Sequence, residues 1–140
     1  MLTSQLAEHA RQIATEAHEG QFDKVGNPYF AHCHRVAELV VGDEERAVAY
    51  LHDIVEKGKG WTLDRLRDDG FPACVIDAVD ALSRRAREDE DVFLRRSTSN
   101  ALARCVKRAD LEDNLVQAEA AGLDASKFVH GLRFLDEAGE

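Results

Sequence analysis

The sequence predicts an all-α protein, a single helical-bundle domain over residues 1–140. Three observations carry this reading. Apolar residues recur at intervals of three and four almost throughout. Runs of strict alternation, the mark of half-buried strands, are missing. A chain of 140 residues with 44% hydrophobic composition supplies one core of ordinary size and no independent second one.

The elements follow in order. A first helix from about Ser4 to His18 places Leu6, Ala10, Ile13, Ala14 and Ala17 on one face. The segment GQFDKVGNPY interrupts it with turn residues, and Pro28 suits the first turn of a second helix that runs to about Val41. Gly42 and Asp43 cap a third helix, whose buried stripe is Ala47, Val48, Leu51 and Val55, and the glycines from Gly58 to Gly60 end it. Thr62 and Pro72 start two short helices. The charged stretch from Arg84 to Asp91 lacks periodicity and reads as a flexible loop. A long helix spans about Ser99 to Ala120, Gly122 breaks it, and a last helix runs from about Asp124 to Ala138.

Composition narrows the partners. A formal net charge of −9 repels nucleic acid and anionic lipid, so neither nucleic acid nor a membrane is an expected partner. Apolar stretches fall far short of the roughly 20 residues that a span requires. The opening MLTSQLAEHARQ lacks the layout of a signal peptide, and a cytoplasmic address is expected. Cys33, Cys74 and Cys105 are scattered, without a CxxC, and are expected to be packing residues. The local exception to the acidic balance is Arg84 to Arg108, where eight basic residues face four acidic ones.

Four side chains of ligand type stand where apolar residues would otherwise be expected: His32, the pair His52-Asp53, and Asp110. A His-Asp dipeptide alone is a weak signal. Its placement at the end of the apolar stripe of Leu51 and Val55 strengthens it, because charged groups are seldom buried unless paired or bound to metal. Lys107, Asp110 and Asn114 form a polar line one turn apart, beside the apolar Leu102, Val106 and Ala109. Such a line beside a core stripe suits the wall of a pocket.

Three blocks, AHEGQFDKVGNPYFAHCHRVAEL, AYLHDIVEKGKGWTLDRLRDDGFP and VKRADLEDNL, resemble in this order the HD superfamily of metal-dependent phosphohydrolases. Within it the chain is similar to the small hydrolases related to the RelA/SpoT hydrolase domain. The resemblance implies a single HD-type domain in which His32, His52, Asp53 and Asp110 bind one divalent metal, with manganese first and iron or zinc also compatible with two imidazoles and two carboxylates. It implies hydrolysis of the 3′-pyrophosphate of guanosine tetra- or pentaphosphate, a small-molecule nucleotide. It makes Glu56 the carboxylate beside the attacking water, which its place four residues after His52 and three after Asp53 supports. His18 is expected to line the site without ligating, and His34 to be an outer or exposed side chain. His9 and His130 match no motif.

The chain departs from that family at Lys57, where HDIVEK replaces the usual HDxxED. A lysine there either holds a phosphate or is a solvated charge at a helix end. Asp23, beside Lys24, replaces a commonly basic residue. Lys24, Arg84, Arg85, Arg95, Arg96, Lys107 and Asn114 are the candidate substrate contacts, the cations as partners for phosphate oxygens. Two rival readings stay open: a phosphohydrolase acting on another nucleotide, and a metal- or nucleotide-binding module with impaired catalysis. The oligomeric state is not legible.

Overall fold

A computed structural model describes residues 5–138. Among them stand nine helices: α1 (Gln5–Ala17), α2 (Tyr29–Glu38), α3 (Asp43–Leu51), α4 (Ile54–Lys57), α5 (Leu63–Asp68), α6 (Ala73–Ala81), α7 (Glu90–Thr98), α8 (Ala101–Ala120) and α9 (Ser126–Glu137). The all-α expectation holds, with one isolated bridge between Phe22 and Pro28 closing the loop after α1. The expected start of the first helix at Ser4 lies outside the described residues. None of the described helices is long and apolar enough to cross a membrane.

The core forms around α3, which packs against α1, α2, α6 and α8. Val48 and Leu51 of α3 are fully buried, as are Val36, Val79 and Val106 from the helices around it. Asp43, expected to cap its own helix, also serves another. Its carboxylate accepts from the amides of Leu6 and Ala7, at 3.3 and 3.0 Å, and so pins the start of α1 to the start of α3. The 20-residue α8 forms the second spine, carrying α9, α7, α6, α3 and α2 along its length.

Several boundaries differ from the sequence reading. The helix expected to run unbroken from Asp43 to Gly58 stops at Leu51 and resumes as the short α4. The cause is His52: its Nδ1 donates to the carbonyl of Ala49 at 2.6 Å, occupying the acceptor that a continuing helix would offer to the amide of Asp53. Gly58 then ends α4, since a Cβ there would lie 2.6 Å from the Ile54 carbonyl oxygen and 3.2 Å from the Ala17 Cβ. The second helix ends at Glu38 rather than Val41, and α8 starts after Asn100, whose side chain accepts from the amide of Ala103. Thr62 caps α5 as expected, accepting from the amide of Arg65 at 3.1 Å. Gly122, at φ +70°, makes the turn between α8 and α9. Of the cysteines, Cys33 is buried as expected, whereas Cys74 and Cys105 are exposed because their helices turn those faces to solvent.

The charged stretch from Arg84 to Asp91 is a pinned segment, not a loose loop, and it leads into α7, which the sequence reading left out. Arg96 holds the segment: its guanidinium donates to Glu88 at 2.7 and 2.8 Å and to the carbonyls of Asp80 and Ser83 at 3.0 and 2.8 Å. Arg84 pairs with Glu90. The Arg96 guanidinium and the Arg85 amide together hold the Glu88 carboxyl down at about 2. Because that value lies below the ordinary 4.5, the stabilisation is complete above about pH 4.5 and is lost as pH falls toward 2. Glu88→Gln should destabilise the protein by about 1 kcal/mol at neutral pH, the scale of a charge-assisted bond near the surface. Urea unfolding at a series of pH values should show the gap to the parent closing over that acid window.

Candidate functional site

The break after α3 places His52 and Asp53 at the point where α2 and α8 meet. His32 enters from α2, and Asp110 from α8. His32 Nε2 lies 3.0 Å from Asp110 Oδ1, and His52 Nε2 lies 3.4 Å from the same oxygen and 3.2 Å from Asp53 Oδ2. The two imidazole rings stand edge to face with centroids 5.4 Å apart. Ligand atoms of His32, His52 and Asp53 all fall within 4.8 Å of one another, a group able to hold a metal ion. Both histidines are 2% exposed.

The hydrogen bonds around the centre orient its donors. His52 Nδ1 is committed to Ala49, so Nε2 faces inward, buried and without a hydrogen-bond partner. An orphaned imidazole nitrogen among carboxylate oxygens is costly unless a cation or proton lies between them, and the donor set therefore fits a divalent ion. Burial disfavours the charged form of His52, yet the carboxylates of Asp53 and Asp110 outweigh it and hold its pKa well above the ordinary value. Asp110 is held well below the carboxylate range, where burial is overcome by His52 and Lys107. Asp53 is likewise lowered against burial, by His52 above all, and also accepts from the hydroxyl of Tyr29. The centre is a nest of opposite charges that demands positive charge from somewhere.

A cleft of about 370 Å³ opens over this centre. Glu56 and Lys57 line it from α4, Lys24 from the loop after α1, Arg84 from the pinned segment, and Lys107 and Asn114 from α8. Asn114 donates to Asp110 at 2.9 Å and accepts from Lys24 Nζ at 2.6 Å, linking the rim to the floor. Lys57 Nζ sits 5.0 Å from the centroid of the Tyr29 ring. Glu56 has a raised pKa, from burial and then from the charge of Asp53. A larger depression of about 500 Å³ between α1 and α3 is lined by Glu8, Arg11, Asp43 and Arg46, and has none of these imidazoles. Its charges balance, so volume alone does not locate the chemistry.

Three of the seven expected substrate contacts are not in the cleft. Arg96 is spent on Glu88 and two carbonyls inside the structure. Arg85 points outward, 3.8 Å from Asp80. Arg95 lies on the exposed face of α7, because the adjacent Phe93 and Leu94 take the buried one. Arg84 lines the cleft with its charge already paired to Glu90, over the Phe93 ring. His18 is buried behind Tyr29, with ring centroids 5.0 Å apart, instead of lining the cleft. His34 faces away and bonds the hydroxyl of Tyr50 at 2.7 Å, while His9 and His130 pair at the surface with Asp69 and Asp91.

The sequence reading missed Tyr29, Asp113 and Lys127. Tyr29 precedes His32 by one helical turn and Asp113 follows Asp110 by one, so each had a spacing signal. Lys127, on α9, had none.

No family model matches the chain. Over 118 residues it is 32% identical to the guanosine-3′,5′-bis(diphosphate) 3′-pyrophosphohydrolase of Haemophilus influenzae. That alignment takes 74% of this chain and 17% of the other, so the chain spans less than a fifth of the curated relative it matches. A solved structure of a metazoan ortholog of SpoT, described as hydrolysing ppGpp, superposes with a TM-score of 0.75 at 21% identity, covering 98% of this chain and 95% of that one. The chain is similar to a SpoT-type hydrolase in sequence and shares the SpoT-type fold. Within this SpoT-type fold, the unusual Asp23 is accounted for by its loop. Its Oδ1 accepts from the amides of Val25 and Asn27 at 3.0 and 2.9 Å, so this aspartate builds the turn that presents Lys24.

Proposed function

We propose that the protein is a metal-dependent phosphohydrolase acting on a nucleotide, with guanosine 3′,5′-bis(diphosphate) as substrate and the 3′-pyrophosphate as the group removed. One observation carries the reading. Two imidazoles and two carboxylates converge on the floor of a cleft whose lining includes Lys24, Lys57 and Lys127, none with a carboxylate partner among the described residues. The similarity to the Haemophilus pyrophosphohydrolase and the fold shared with the metazoan SpoT ortholog support the choice of substrate. The cytoplasm is the proposed compartment.

His32, His52, Asp53 and Asp110 would hold one divalent ion, manganese before iron or zinc. Such an ion supplies Lewis-acid chemistry, acidifying water and offsetting phosphate charge. The rest falls to side chains. Glu56 accepts the proton of the attacking water, Tyr29 fixes the Asp53 oxygen that lies beside His52, and the three lysines without a carboxylate partner draw in the phosphates. Lys107 and Arg84, over the Phe93 ring, line the wall with their charges already paired to Asp110 and Glu90.

Lys57 follows the proposed base directly and lies over Tyr29, so its ammonium is near the reacting phosphate. It strengthens anion binding without supplying the acid or base function of an aspartate. Lys57→Asp should raise the rate of guanosine tetraphosphate hydrolysis and weaken product inhibition by pyrophosphate severalfold. Steady-state kinetics with added pyrophosphate decides; no change in either quantity makes Lys57 a solvated helix-end charge.

The test of the whole reading is incubation of metal-loaded protein with a panel of nucleotides that includes guanosine tetraphosphate, with products separated by chromatography. Pyrophosphate release from that compound is the expected result. Monophosphate release from a different nucleotide would replace the substrate, and binding without turnover would make the protein a nucleotide-binding module.

A further inference from the structure

Asp113 has no part in the chemistry above, yet it collects four bonds in a buried position. Its Oδ2 lies 2.7 Å from His32 Nδ1 and accepts from Gln117 Nε2. Arg35 Nε donates to Oδ1 at 2.8 Å, and Arg35 Nη2 donates to Oδ2 at 3.2 Å. His32 and Arg35 are three residues apart on α2, and so both reach the same carboxylate across the α2–α8 contact.

We propose that Arg35 and Asp113 form a positioning pair that holds His32 with its proton on Nδ1, so that Nε2 is presented to the metal centre as a strengthened donor. The proposal rests on the reading of His32 as a ligand. A carboxylate that accepts from one imidazole nitrogen selects the tautomer and raises the basicity of the other nitrogen. His52 is backed differently. Its Nδ1 donates to a neutral backbone carbonyl, so the two imidazoles are backed unequally, and His32 has the stronger support.

Arg35 has a distinct job. Its fork occupies both oxygens of Asp113, which keeps that carboxylate turned to the outside of His32 rather than toward the centre, where it would compete with Asp110. Gln117, one turn further along α8, fixes it from the other side. Retention of the ion thereby depends on a contact between two helices that are 81 residues apart in the chain at this pair.

The experiment measures Mn²⁺ and Zn²⁺ affinity by competition with a chromophoric chelator for the parent, Asp113→Asn, Arg35→Gln and His32→Ala. Imidazole nitrogen NMR of the metal-free proteins runs alongside. Asp113→Asn should weaken affinity roughly 10- to 100-fold, the usual range for loss of such an outer partner. Arg35→Gln should give a smaller loss in the same direction, and in both variants the occupancy of the His32 Nδ1 proton should fall. The Arg35 side chain is 36% exposed, so this variant remains available if Asp113→Asn does not fold. A lowered melting temperature with parental affinity and an unchanged His32 tautomer would make the pair purely structural and overturn the proposal. If His32→Ala also binds at parental affinity, it is the reading of His32 as a ligand that fails, and the pair falls with it.

Discussion

Alanine at His52 or at Asp53 should give a protein that folds, carries no divalent ion after desalting, and hydrolyses no nucleotide above background. His52 supplies the one imidazole nitrogen of the centre that is buried without a hydrogen-bond partner, and no other described side chain is placed to substitute for it. Asp53 supplies the carboxylate 3.2 Å from that nitrogen, oriented by the hydroxyl of Tyr29. Removing His52 leaves the carboxylates of Asp53 and Asp110 facing each other with less compensating positive charge, removing Asp53 takes away one of the two carboxylate donors, and an incomplete donor set holds an ion weakly. Elemental analysis of the purified variants measures the loss, and circular dichroism shows that the helices persist. Full occupancy in both variants would end the assignment of this centre. The outcome is also distinct from that expected for Asp113→Asn, where the ion is weakened but still bound.

The sequence made the bundle legible where helices bury an apolar stripe and start on a capping side chain or a proline. Leu66 behind Thr62, and Val75, Ile76 and Val79 behind Pro72, are such cases. It hid α7 because the buried face of that helix is partly polar. Ser97 and Thr98 are buried, and Ser97 bonds the Ala81 carbonyl at 2.9 Å, so the apolar period that marks the other helices is broken. The interruption at His52 was hidden for another reason: it is produced by a side chain bonding its own helix, which leaves the hydrophobic pattern intact. The proposed metal quartet was legible as a set of ligand types in order along the chain. Its supporting pair was not, because Arg35 and Asp113 meet only through the packing of α2 on α8. Charge counting failed at Arg96 for a related reason, since a sum over residues does not distinguish a guanidinium free to meet a phosphate from one already bound to Glu88.

Glu56→Gln should keep the ion and lose most of the activity. Glu56 sits on α4 beyond the break, lining the cleft but outside the group that surrounds the centre, so its loss leaves the donor set intact. Its carboxyl is pushed up from the ordinary glutamate value, first by burial and then by the negative charge of Asp53, while the backbone amide of Arg84 partly opposes this. A carboxylate of raised basicity is a better proton acceptor. Glutamine keeps the size and can still accept from the Arg84 amide, but it cannot take a proton from water. The expected fall in kcat is on the order of 10² or more, the usual worth of such assistance. KM should change little, because the lysines that draw in the phosphates are untouched. Activity within about twofold of the parent would remove Glu56 from the mechanism, since general-base assistance is seldom worth so little. The parent should lose kcat as pH falls through the raised pKa of Glu56, and the residual activity of the variant should lack that acid limb. Parallel pH–rate profiles for the two proteins would therefore count against Glu56 as the base even if the variant were slow.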